Sequence, residues 1–384
     1  MTVHRTAVPG SAISEPVLPP ALSEATRATI DTPALVVDLD RMDAAIARMA
    51  AAMSERGVAL RPHAKTHKSI EVGRRQVGAG AVGLTVGTVG EAEVFADGGL
   101  DDLFIAYPMV PAGPKAERLR EVARRARLRV GIDSVVGAHA VADALGDDRE
   151  RVSVLVEIDC GGRRTGVAPS DAGPVAAAAT HLGLDVIGVF THGGHGYHGP
   201  DARAAAAEDE VRGLTEAAGS LRAAGVEPSV VSAGSTPTAF DSARGAVTEE
   251  RPGTYVFGDR QQVALGSIAP DAPAAVIAAR VVSLNTAARR FVIDAGAKTL
   301  TKDVPAYLAG HASIPELGAV VDRVSDYHGV VEVKDGGSLP EIGQVVLAVP
   351  NHICPVVDLF ATFLVARDGA IIDTWRVDAR GRSG

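Results

Sequence analysis

From about residue 33 to residue 265, short apolar runs alternate with Ala- and Arg-rich amphipathic stretches about eight times. "ALVVDLD" reads as a strand, and "RMDAAIARMAAAMSERG" as a helix closed by Gly57. The unit recurs in "VALRPHAK" with "SIEVGRRQVGAG", and in "AVGLTVG" with "VGEAEVFADGG". "DLFIAYP" precedes a predicted helix near 114–126, and "LRVGIDS" one near 135–145. "RVSVLVEID", "DVIGVFTHGG" and "PSVVSAGS" are predicted strands, helices are predicted at 171–182 and 201–224, and "TYVFGD" is predicted as a last short strand. Strands that alternate with helices over short connections form a parallel sheet covered by helices. This many repeats favour closure into a (β/α)8 TIM-type barrel over an open sheet, with reactive residues where strands end and loops begin.

Past residue 272 the helical period fades. "AAVIAARVVSLN", "RRFVIDAGAK", "HGVVEVKD", "QVVLAVPNH" and "LFATFLVARDGAIIDTWRV" are β-rich runs separated by Gly, Asn and Asp turns. The predicted partition is a loose arm over 1–28, the barrel over 29–271, and a C-terminal all-β domain over 272–384, a small sandwich or partly closed barrel. The Pro-, Ser- and Ala-rich arm lacks the basic start and apolar stretch of a signal peptide. No apolar run approaches the ~18 residues of a spanning helix. A net charge of −9 argues against nucleic acid or an anionic membrane as partner. Two cysteines, Cys160 and Cys354, do not make a disulfide framework, so a cytoplasmic location is the expectation.

The segment "LRPHAKTHKS" concentrates positive charge at the end of the second strand of this pattern. On extended chain Arg61, His63, Lys65 and His67 share one side. A solvated charged edge is the ordinary explanation for such a run. At a barrel mouth, however, cationic neighbours and desolvation favour a neutral lysine amine, the form that can bond a carbonyl carbon. Lys65 is therefore a candidate Schiff-base lysine. "SAGSTPT" after the strand "PSVV" can offer N–H and hydroxyl donors to an anion. "VFTHGGHGYHG" groups His192, His195 and His198, which read either as a metal cluster or as a strand-end loop. "VPNHICPVVDLF" places His352 and Cys354 two apart, a pair that suits Zn²⁺ but is weak alone, since a buried Cys and a core His are more common. "GLTVGTVGEAE" lacks the spacing of a nucleotide-binding fingerprint.

The string "RPHAKTHKS", with similarity running from "DTPALVVDLDRM" to "IIDTWRVDARG", resembles the D-threonine aldolase and D-serine dehydratase family, pyridoxal-phosphate enzymes with an alanine-racemase-like barrel. The resemblance implies that Lys65 bonds pyridoxal 5'-phosphate, that Gly234, Ser235 and Thr236 form its phosphate cup, and that the Tyr255 hydroxyl also meets the phosphate. Arg164, rather than Arg163, falls beside the ring hydroxyl. His192 packs by the cofactor face and is a candidate base, and Tyr197 lines the substrate pocket. His352 and Cys354 carry a divalent metal, Zn or Mn; the Cys is the dehydratase-like choice where aldolases more often show Asp. Asp358 is not assigned, and His63, His67, His195, His198 and His328 keep no assigned role. The implied activity is a lyase acting on D-3-hydroxy amino acids such as D-serine or D-threonine, by dehydration to a 2-oxo acid and ammonia or by retro-aldol cleavage to glycine and an aldehyde. It also implies a homodimer in which one subunit's β-domain caps its partner's barrel. An amino-acid racemase, which would not need His352 and Cys354, and a non-catalytic pyridoxal-phosphate carrier, which would not need the β-rich tail, are the alternatives.

Overall fold

The computed structural model describes residues 13–17, 22–334 and 336–384. Residues 1–12 and 18–21 of the predicted loose arm lie outside them. Its described remainder is built into the molecule: Leu22 is buried, Ser23 caps helix α1 (Glu24–Thr29), and the Val17 N–H donates to Pro270 O at 3.1 Å.

Strand β1 (Ala34–Asp38) runs directly into α2 (Leu39–Glu55), whose first turn is capped by the Asp38 carboxylate accepting from the Arg41 N–H. Leu39, Met42, Ala45, Ile46, Met49 and Met53 form the buried stripe of α2, at the three- and four-residue spacing of a helix face. The first barrel then follows: β2 (Ala59–Leu60), β3 (Leu84–Val86), β4 (Asp102–Pro108), β5 (Arg127–Ile132), β6 (Val152–Glu157), β7 (Asp185–Phe190), β8 (Val230–Ala233) and β9 (Glu249–Glu250). These eight parallel strands stand in the order β2-β9-β8-β7-β6-β5-β4-β3. A parallel bridge between His63 and Thr85 joins the two ends into a ring. Helices α3 (Ile70–Gly78), α4 (Val89–Asp97), α5 (Pro114–Arg125), α6 (Val135–Leu145), α7 (Ala172–His181) and α8 (Ala202–Ala223) separate the strands.

The barrel interior has two layers. Phe104, Leu155 and Phe190 form a buried plug, with the two rings edge-to-face at 5.1 Å. Toward the strand starts, the buried Arg61 guanidinium bonds Glu249 at 2.8 Å and Asp102 at 2.6 Å, and Arg129 also reaches Glu249 at 2.9 Å. Each buried charge in this layer therefore has a partner.

The second half builds another ring. β10 (Ala275–Asn285), β11 (Arg290–Ile293), β12 (Ala312–Ile314), β13 (Ala319–Val324), β14 (Gly329–Glu332) and β15 (Val345–Pro350) close as the cycle β10-β11-β14-β13-β12-β15. Its register is antiparallel throughout. β16 (Thr362–Arg367) and β17 (Ala370–Arg376) extend it as a wing.

Two strand expectations are corrected. The strand at 34–38 is not a barrel strand: β1 lies in the wing, antiparallel to β10 and parallel to β16. Val36 packs with Val276, Ala278 and Leu347 on one face, while Leu35 and Val37 join the main core on the other. "TYVFGD" is not the last barrel strand either; residues 254–256 form a 3₁₀ turn, and the acidic pair Glu249–Glu250 takes the strand position.

Candidate active site

Lys65 sits on a 3₁₀ turn, Ala64–Thr66, just beyond β2. The turn ends the alternation expected of the basic segment. Arg61 points into the charged layer, and His67 is buried toward α3, where its Nδ1 accepts from the Ser69 N–H at 3.1 Å. That bond leaves Nε2–H to donate to the Gln76 side-chain oxygen at 3.2 Å. Only His63 and Lys65 of the four line the cavity at the strand ends. Lys65 is accessible from the cavity it lines. Burial, with the Arg164 and Arg251 guanidiniums, lowers its pKa against the opposing pull of Cys354 and Glu91. Burial beside Lys65 also holds His63 well below the usual imidazole range.

The other walls come from successive strand ends. Gly234, Ser235 and Thr236 follow β8, and His192 and Tyr197 follow β7. His192 Nδ1 donates to Gly234 O at 3.0 Å, so its other nitrogen is an acceptor; burial first, then Lys65, brings its pKa down to about 3. The expected base is thus a neutral acceptor in this arrangement. Burial pushes the Tyr197 phenol upward, keeping it protonated. Arg164 lines both this cavity and an adjoining one lined by Glu157, Asp159 and His198; the two share Arg164, His192 and Tyr197.

Tyr255, expected to meet the phosphate, stands behind the cup. It does not line the cavity; its hydroxyl accepts from Gln76 at 3.0 Å, and its backbone N–H donates to Thr236 Oγ1 at 3.1 Å. It supports the cup from behind. Arg251 was not singled out in the sequence, yet its buried guanidinium forms part of the cavity floor. It lies over the Phe104 and Phe190 rings and bonds Ser232 and Thr191 O. The signal available was its place directly after a strand, in "EERPGT".

His352 and Cys354 flank the start of a short helix, and the pair meets Lys65 within one chain. Cys354 Sγ lies 3.2 Å from Thr66 Oγ1 and 3.6 Å from Thr254 Oγ1. The Lys65 turn and the β-domain pair therefore come together without a partner subunit, contrary to the expectation that they meet across a dimer interface. Asp303 accepts from His352 Nδ1 at 2.7 Å, and the ring also hydrogen-bonds the Cys354 sulfur. Burial opposes the charged imidazole, but Cys354 and Asp303 outweigh it and raise His352 to about 11. Burial likewise opposes a thiolate at Cys354, and His352 with Lys65 lowers its pKa nonetheless. A carboxylate-oriented imidazole beside an ionisable thiol suits a borderline-soft divalent ion and leaves positions open for water and substrate. Among the described residues no three His, Cys, Asp or Glu side chains cluster as metal ligands, the loop histidines included. His195 pairs with Asp209 at 3.1 Å, and His328 is exposed in a turn between β13 and β14. Asp358 is taken by Lys68 at 2.7 Å.

Residues 37–261 match the family model "Alanine racemase, N-terminal domain", and residues 274–366 match "Putative serine dehydratase domain". The D-threo-3-hydroxyaspartate dehydratase of Delftia sp. (strain HT23) is 37% identical over 91% of this chain and 98% of its own. The D-threonine aldolase of Arthrobacter sp. is 35% identical over 95% and 97%. The chain belongs to the D-threonine aldolase and D-serine dehydratase family. The solved Delftia structure superposes with a TM-score of 0.84 at 35% identity, covering 91% of this chain and 98% of that one. A Cys-to-Ala mutant of a D-threo-3-hydroxyaspartate dehydratase, 35% identical with a TM-score of 0.83, has been solved in a metal-free form. Pyridoxal phosphate and a divalent metal are the cofactors of this family, and the residues around Lys65 and at His352 and Cys354 fit both groups.

Proposed function

We propose that the protein is a pyridoxal-phosphate- and metal-dependent lyase of D-3-hydroxy amino acids. The observation that carries this reading is the meeting of Lys65 with the His352–Cys354 pair in one chain, through the 3.2 Å contact of Thr66 with Cys354. The racemase alternative has no use for that pair, and a carrier has no use for the second barrel. When bound, pyridoxal phosphate supplies an electron sink for charge at Cα, and the metal supplies a Lewis acid for the β-oxygen.

The chain's own groups divide the remaining work. Gly234, Ser235 and Thr236 bind the phosphate end, with Tyr255 bracing Thr236. Arg164 and Arg251 offer positive charge to the cavity, and Arg251 is fixed by its bonds to Ser232 and Thr191. His352 and Cys354 hold the metal, with Asp303 setting the imidazole orientation. The freed Lys65 amine, its pKa lowered by burial, accepts a proton at Cα. Tyr197 keeps its proton and can donate to the departing or developing oxygen. We read dehydration as favoured over retro-aldol cleavage because Cys354 stands where aldolases of the family more often show Asp; Lys65 would then be the base for the Cα proton, and His192 in its neutral, low-pKa form would be a weak base for the β-hydroxyl.

We further read the chain as a cytoplasmic homodimer. Both cysteines are free, and exposed Val282, Tyr327 and Ile342 on the second barrel offer surface for a second copy. Sedimentation of the purified protein tests this, and a monomer would refute the dimer. The chain has no described helix long and apolar enough to cross a membrane.

The deciding experiment incubates the pyridoxal-loaded protein with D-serine, D-threonine and D-3-hydroxyaspartate and with their L-forms, with and without chelator. Oxo acid from D-forms, lost on metal removal, is the expected outcome. Glycine plus aldehyde would move the assignment to the aldolase branch, and turnover of L-forms alone would overturn it. Lys65→Arg should abolish the imine absorbance and lower turnover by about 10³-fold or more.

A further inference from the structure

Asn351 precedes His352 and is 1% exposed. Its amide nitrogen donates to Asp303 O at 3.0 Å and to Gly310 O at 2.8 Å. Its backbone carbonyl accepts from the Gln261 N–H at 3.1 Å, and its side-chain oxygen accepts from Arg260 Nη1 at 3.0 Å. Asn351 thus ties together the backbone of Asp303, which orients His352, and the segment that carries His352 itself. The neighbouring Asp259 carboxylate accepts from the N–H of Ile353, between His352 and Cys354, at 3.0 Å.

Arg260 is almost fully buried, and Nη1 also donates to Ala309 O at 2.5 Å. Its remaining edge is closed from outside the barrel. Nε and Nη2 take both oxygens of Glu15 at 2.6 and 2.5 Å. Glu15 is half-exposed and belongs to the N-terminal segment over residues 13–17, far in sequence from the site. A forked ion pair of this kind fixes the guanidinium plane as well as its charge. Without the carboxylate, a buried guanidinium would have two unpaired N–H groups and would turn to find acceptors, drawing Asn351 with it.

We propose that Glu15 is a positioning residue: through Arg260 and Asn351 it presets His352 and Cys354 for a borderline-soft divalent ion. The N-terminal arm is then a working part of the metal site. This inference rests on the metal reading above, and its test separates the two.

The test uses the full chain loaded with pyridoxal phosphate and Co²⁺ as probe. Affinity is measured by chelator competition, geometry by the thiolate-to-cobalt charge-transfer band, and the barrel site by its imine absorbance. Glu15→Gln and Glu15→Ala should each weaken Co²⁺ binding about tenfold and alter the charge-transfer band, with the imine absorbance intact. His352→Ala, as control, should abolish the band. If wild type and both Glu15 variants bind Co²⁺ alike, the arm proposal falls and the metal site stands. If affinity and imine absorbance drop together, Glu15 acts on overall stability and the proposal also falls. If wild type binds no Co²⁺, both readings are overturned.

Discussion

His67 looks in sequence like a partner of Lys65, but burial gives it a different task. It sits edge-on to Phe95 and Phe257, and its two nitrogens are committed to Ser69 and Gln76, the latter holding the Tyr255 hydroxyl. Burial brings its pKa from 6.5 down to about 4. The unfolded chain therefore binds a proton in that interval and the folded chain does not. His67 leaves stability whole above pH about 6.5 and costs roughly 3 kcal/mol as pH falls through the interval toward 4. Urea melts of wild type and His67→Gln across this range should show a steeper acid loss in wild type; equal slopes would refute the assignment. The basic string was legible as a site marker because Lys65 and His63 do face the cavity. The fate of Arg61 and His67 was not, because it depends on the 3₁₀ turn and on Glu249 and Gln76, which are remote or on the next helix. Asp303 escaped notice for the same reason, standing far from His352 in sequence. Asp303→Ala should weaken metal binding about 10–100-fold, read by chelator competition, because the imidazole loses the carboxylate that sets its tautomer.

At the scale of elements, most helices were legible because each buries one face, and most strands because they are short apolar runs buried on both faces. That reading failed where the interior is polar. β9 is Glu249–Glu250: Glu249 is held by Arg61, Arg129 and Ser232, while Glu250 accepts from Ser242 on one oxygen and its other oxygen is buried without a partner. No apolar pattern marks such a strand. β12 and β13 were likewise unread, being short or interrupted by polar residues on the open face. Close strand contact is set elsewhere by glycine. A Cβ at Gly188, in β7, would lie 1.7 Å from the Val230 carbonyl oxygen at the start of β8. Backbone cannot yield there without parting the two strands whose ends carry His192 and the Gly234–Thr236 cup. Gly188→Ala should therefore cost roughly 3 kcal/mol and weaken pyridoxal-phosphate binding in parallel, measured by denaturant melts and cofactor titration. An unchanged midpoint would show that the sheet has slack at this register.

Across the whole molecule, the two barrels are interlaced rather than strung together. β1 is a strand of the second sheet that leads straight into α2 of the first barrel. Lys68 beside the active turn pairs with Asp358, the Ile70 N–H donates to Asp378 at 2.8 Å, and the Ala379 N–H donates back to Lys68 O at 3.0 Å. Gln261 and Asp259 grip the chain on either side of His352. Neither half can unfold without exposing the other's buried polar groups, which favours a single transition over two. The molecule carries its own reporters for this. Its one tryptophan, Trp375, lies on β17 in the second sheet, while an imine at Lys65 reports on the first barrel. Denaturant unfolding followed by Trp375 fluorescence and by imine absorbance should give coincident midpoints and slopes. Separate transitions would mean that the shared strand and the ion pair at Lys68 do not couple the halves.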